Sequence, residues 1–167
     1  MIVDTALLLL FPAAMAIAAS MDLFTMTIPN RISLALVAGF FCLAPFAGLG
    51  WAEIGAHVAT GLAMLALTLL LFWKGWIGGG DAKLFSATCL WFGYEHLLEY
   101  AMIAALVGGA LTICLVLVRN LPLPASLKKR EWVARLHSSG TGVPYGIALA
   151  IAALLVYPQT AFMQAVS

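Results

Sequence analysis

The chain has 167 residues, of which 64% are hydrophobic and 9% charged, and its mean hydropathy is +1.07. A water-soluble domain carries roughly a quarter charged residues, so this composition excludes one and points to a membrane protein. A net charge of +1 offers no footprint for nucleic acid, and the length allows about six membrane-spanning helices but no separate soluble domain.

The first apolar run, 5–21, follows Asp4 and has no basic residue ahead of it. It reads as a retained anchor rather than a cleaved signal. Asp22 stands at its end. Ile28-Pro29-Asn30 then interrupts the pattern, with the proline stopping the preceding segment and Asn30 placed to cap the next helix. Apolar runs follow at 32–52 and 54–73. The stretch Gly75-Trp76-Ile77-Gly78-Gly79-Gly80-Asp81-Ala82-Lys83 leads into a run, 84–94, too short to cross a bilayer alone. Extended back to 76–94 it becomes long enough, and Asp81 and Lys83 are drawn toward the membrane. The remaining predicted spans are 100–118 and 141–163, separated by a basic loop at 119–139.

Charge asymmetry favours six crossings. Arg31, Lys74, Lys83, Arg119, Lys128, Lys129, Arg130 and Arg135, all eight basic residues, then fall on one side, and Asp4, Glu53, Glu95 and Glu99 on the other. The predicted fold is an all-α polytopic membrane protein, a single domain over 1–167, with six transmembrane helices, both termini outside and the basic loops in the cytoplasm. Trp51, Trp73, Trp76, Trp91, Tyr94, Tyr100 and Tyr157 lie near predicted span ends and read as an interfacial belt. His57, His96 and His137 read as interfacial or loop residues. Cys42, Cys89 and Cys114 sit singly in apolar runs and read as small buried hydrophobes, not as zinc or disulfide partners. The loop 119–139 reads either as an amphipathic stretch on anionic lipid or as a plain topology anchor.

Asp22 and Asp81 return to the same membrane face in this topology. Two close carboxylates share a proton, so one can act as base toward water while the other donates to a peptide carbonyl. Gly78, Gly79 and Gly80 allow unusual backbone angles and a close backbone approach to Asp81. The plainer readings are a polar helix exit for Asp22 and an N-cap for Asp81. Lys83 either orients substrate or snorkels to the interface.

Gly78-Gly79-Gly80-Asp81 resembles the GxGD motif of intramembrane aspartic peptidases, and GGGDAKLF the form found in type IV prepilin peptidases. Asp22 followed by Ile28-Pro29-Asn30 is similar to that family's first catalytic segment. Gly142-Val143-Pro144-Tyr145-Gly146 is a third match, at the start of the last span. The resemblance covers about Met21 to Ala150. It implies a membrane aspartic endopeptidase with Asp22 and Asp81 as the catalytic pair, using neither metal nor cofactor. Gly78, Gly79, Gly80, Lys83, Pro29, Asn30, Pro144 and Tyr145 would shape the site. Its implied substrate is a type IV (Flp-like) prepilin with a short basic leader and an apolar N-terminal helix. That substrate would be cut in the prokaryotic inner membrane at the cytoplasmic face, with membrane lipid and pilus-assembly components as neighbours. Eight residues separate Asp22 from Arg31 with no cysteine pair. This resembles the minimal peptidases of tight-adherence pilus systems, without a methyltransferase domain. A small proton-coupled transporter and a non-catalytic assembly scaffold are the alternatives from other classes.

Overall fold

A computed structural model describes residues 2–166, and every regular element among them is helical. The principal helices are α1 (Ile2–Thr25), α2 (Asn30–Leu43), α3 (Trp51–Trp73), α4 (Gly79–Phe92) and α5 (Leu97–Arg119). Two short helices, α6 (Ala125–Lys128) and α7 (Glu131–His137), precede α8 (Tyr145–Val156), a 3₁₀ turn at Tyr157–Gln159, and α9 (Ala161–Gln164). Among the described residues three helices, α1, α3 and α5, are long and apolar enough to cross a membrane. At 1.5 Å per residue each extends roughly 35 Å, more than the ~30 Å hydrocarbon core. Asn30–Leu43 and Tyr145–Gln159 are shorter apolar helices.

α2 is shorter than the apolar run that contains it. It ends at Leu43, because Pro45 follows and Gly48 turns the chain with φ +79° before α3 starts at Trp51. Hydropathy is continuous across this turn, so only the backbone chemistry marks the break. Asn30 does not cap α2. Pro29 occupies the cap position, and the Asn30 Oδ1 instead accepts a hydrogen bond from Lys83 Nζ at 2.9 Å.

α4 lies at the centre, packed against α2, α3 and α8, while α1 packs on α2 and α8 and α5 on α8. Lipid is as apolar as leucine, so these contacts rest on close packing and interhelical hydrogen bonds worth about 0.6–2 kcal/mol each. Gly61 of α3 brings that helix against the Leu90 backbone of α4. The Thr68 and Ser86 hydroxyls meet at 3.0 Å across the same interface. At the end of the bundle away from Asp22 and Asp81, Phe11, Phe40, Trp91, Tyr157 and Phe162 form an aromatic cluster. The Trp91 Nε1–H donates to the Leu36 carbonyl at 2.9 Å, and the Tyr157 hydroxyl to the Leu7 carbonyl at 2.6 Å.

Burial corrects the interfacial reading of Trp91 and Tyr157 in this cluster and of Tyr100, which packs on Phe85 and Phe92, whereas Trp51, Trp73, Trp76 and Tyr94 are exposed. His57 is likewise an interior-facing residue of α3. Its Nδ1 lies 2.9 Å from the Leu90 carbonyl, and its ring stacks on Phe40. Cys89 is buried, but Cys42 and Cys114 are exposed.

Candidate active site

The buried residues of α1 are Leu7, Phe11, Met15, Ala18 and Asp22. They recur every three or four positions, so Asp22 continues the apolar stripe and faces inward. What receives it there is the first turn of α8. Pro144 takes the cap position of that helix, and the Gly146 N–H donates to Asp22 Oδ2 at 2.7 Å. First-turn amides have no partner within their own helix, and the helix dipole favours a carboxylate at this end. Any side chain on Gly146 would fill the same space, since a Cβ there would stand 2.9 Å from Asp22 Oδ2 and 2.8 Å from Ile28 Cδ1.

Asp81 is the third residue of α4, after the capping residue Gly78. Its carboxyl folds back on Gly78, where a Cβ would lie 2.7 Å from Asp81 Oδ2. Asp81 is therefore not the cap residue of α4, and its carboxylate complements the same first turn from within.

The three glycines before Asp81 do not supply unusual backbone angles. Gly78 has φ −71° and Gly79 and Gly80 are helical, while the left-handed residue of this connection is Gly75, with φ +74°. Their role is close approach. A Cβ on Gly80 would sit 3.1 Å from Ile28 Cβ, and one on Gly79 3.2 Å from the Phe72 ring. Ile28 thus lies against both Gly80 and Gly146, between the first turn of α4, which bears Asp81, and the first turn of α8, which holds Asp22.

A cavity of about 740 Å³ is lined by both Asp22 and Asp81. Of the other residues in the motifs quoted from the sequence, Gly75, Gly78, Gly142, Val143 and Tyr145 also line it, and the Tyr145 hydroxyl donates to the Ala104 carbonyl at 3.2 Å. Gly79, Gly80, Pro29, Asn30 and Pro144 are not among the lining residues. Lys83 points away toward Asn30 and does not line the cavity.

Sequence reading missed Met26, Trp76, Ile77, Arg135 and Thr141, which complete the wall. Met26 carries one signal in the structure, a left-handed φ of 55° just past the end of α1. The basic loop folds over the cavity rather than lying free. Arg135 Nη1 donates to the Phe24 carbonyl at 2.9 Å, and Trp132 meets the Phe24 ring edge-on. Arg119 donates to the carbonyls of Leu136, Thr141 and Gly142. Two arginines that sequence alone assigned to membrane orientation therefore fasten the cavity's rim. No group of three or more potential metal ligands occurs among the described residues.

The sequence pattern of the Type IV leader peptidase family matches residues 9–113. Over 137 residues, 78% of this chain, the sequence is 34% identical to the prepilin leader peptidase/N-methyltransferase of Aeromonas hydrophila, covering 41% of that protein. Over 103 residues, 59% of this chain, it is 33% identical to the protein of the same description in Burkholderia pseudomallei (strain 1026b), covering 33% of it. The chain thus spans well under half the length of these relatives. No solved structure matches it.

Proposed function

Since this chain belongs to the Type IV leader peptidase family, we propose that it is an aspartic endopeptidase that removes the leader of type IV (Flp-like) prepilins, with Asp22 and Asp81 as its catalytic pair. The observation that carries this reading is the cavity lined by both carboxyls. A water molecule between two such groups can be deprotonated by one while the other protonates the scissile carbonyl. The Gly146 amide fixes the orientation of Asp22, so less freedom has to be lost when substrate arrives.

The substrate's apolar helix lies among the spans, and its basic leader reaches the cavity from the side carrying the basic loops. In the topology that fits this arrangement, six helical segments cross or enter the inner membrane, both termini are outside, and the site faces the cytoplasm. Arg119 and Arg135, which fasten the rim of the cavity, then lie on the cytoplasmic side, in keeping with the excess of basic residues in cytoplasmic loops.

The test is a gel-shift assay of an Flp-type prepilin co-expressed with the wild type, Asp22→Asn or Asp81→Asn. Loss of the leader with the wild type and its retention with both variants is the expected result. Cleavage that persists in either variant would break the two-aspartate mechanism.

A further inference from the structure

Two apolar grooves flank α4, and they are not equivalent. One lies on the α2 side, lined by Leu34, Val37, Leu62 and Leu65, with Lys83 and Asn30 at its polar end. It contains neither aspartate. The other runs between α3 and α5, with α4 and α8 as its floor, and is lined by Leu67, Leu71, Phe85, Leu98, Ala101 and Leu149. Its far end is at Tyr94 and Leu97, and its near end is formed by Ile77, Asp81 and Tyr145. Those last three residues also line the cavity shared by the two aspartates, so the groove and the cavity are continuous.

We propose that the groove between α3 and α5 is where the apolar helix of the prepilin docks, a conclusion that rests on the peptidase reading above. α4 connects the two ends of the groove, and its 14 residues give the floor a length of roughly 20 Å. Along that length Asp81 is the sole charged residue of the lining, and it stands at the end where the cavity begins. An apolar helix laid in this channel removes its own surface and the groove's from lipid contact. The residues preceding that helix then emerge beside Asp81, which is where a scissile bond between leader and helix must lie. The α2-side groove has comparable size and apolarity, but α4 separates it from both carboxyls. A substrate helix seated there would present its leader to Lys83 and Asn30 instead.

The groove walls come from different neighbours, since α3 packs on α4 and α5 on α8. A helix can therefore enter sideways from the lipid without threading through the bundle.

A photo-crosslinking amino acid placed at Leu98, or separately at Leu62 of the opposite groove, in an Asp81→Asn background tests this directly. Both positions are exposed, 71% and 60% respectively, so neither substitution disturbs the core. The probe substrate is a short basic leader joined to an apolar helix of about 20 residues. A crosslink to the substrate from Leu98 and not from Leu62 is expected. A crosslink from Leu62 alone, or to lipid alone from both, overturns the docking site. Processing of the same substrate by the wild type is measured alongside. If it is intact, the peptidase reading survives a failed crosslink; if it is absent, both fall together. As a second readout, Ala101→Trp narrows the groove and raises KM about tenfold with kcat kept, while Leu62→Trp leaves both unchanged. Equal kinetics for the two variants would also contradict the proposal.

Discussion

Gly146→Ala separates an amide that holds a carboxylate from an ordinary glycine at the start of a helix. In most helices this change is favourable, by about 0.5–1 kcal/mol, because alanine has the better propensity. Here the added methyl would stand 2.9 Å from Asp22 Oδ2, 3.1 Å from Asp22 Cβ and 2.8 Å from Ile28 Cδ1. The first two belong to the group the amide holds, and the third to the side chain between the first turns of α4 and α8. Relief requires Asp22 to move off the 2.7 Å hydrogen bond. A hydrogen bond to a charged group contributes about 1.5–3 kcal/mol, which corresponds to a roughly 10- to 150-fold loss in kcat/KM if all of it serves the transition state. The assay is leader cleavage by purified protein in lipid nanodiscs, with thermal unfolding followed in parallel. The expected outcome is a loss of rate in that range, with no gain in Tm. A variant that is more thermostable and cleaves within about twofold of wild type would show that helix propensity decides at this position. Asp22 would then not depend on the Gly146 amide.

Met26→Gly relieves a left-handed residue beside the cavity and is expected to stabilise the protein by about 1 kcal/mol, read as a raised Tm. Gly108→Ala drives a methyl into the Tyr145 ring and is expected to cost about 1–3 kcal/mol, with loss of the Tyr145–Ala104 hydrogen bond. An unchanged Tm would refute that packing. Lys83→Met removes only its hydrogen bond to Asn30, an effect of about 0.5–1.5 kcal/mol on stability. Cleavage is expected to persist, and its abolition would place Lys83 in the chemistry. Arg119→Ala frees the carbonyls of Leu136, Thr141 and Gly142, so limited proteolysis is expected to cut faster between 136 and 143 in the variant. Equal rates would mean that the arginine does not fasten the loop.

What the sequence displays and what it hides divide along physical lines. The predicted count of spans between Asp22 and Asp81 brings the two to the same end of the bundle, and in the structure a single cavity is lined by both. That inference needs only hydropathy and charge asymmetry. Gly146 is different, since a backbone amide carries no side-chain signature. Its value to Asp22 comes from the first-turn geometry that follows Pro144. Trp91 and Tyr157 illustrate a second limit. An aromatic ring near the end of an apolar run can belong to the lipid interface or to the core, and only the neighbouring carbonyls of Leu36 and Leu7 decide. The early end of α2 is a third, because Pro45 and Gly48 break the backbone without lowering hydropathy. Arg119 and Arg135 show the reverse case, in which residues read only as part of a one-sided charge pattern make specific hydrogen bonds at the rim.

The central claim is that Asp22 and Asp81 act as one chemical unit, and the direct measurement is the cleavage rate of Asp22→Asn, Asp81→Asn and the double variant under identical conditions. Residues of one unit are not additive, so each single variant is expected to lose nearly all activity and the double variant to be no slower than either. Losses that multiply in the double variant, or a single variant keeping about a tenth or more of the wild-type rate, would contradict a shared role.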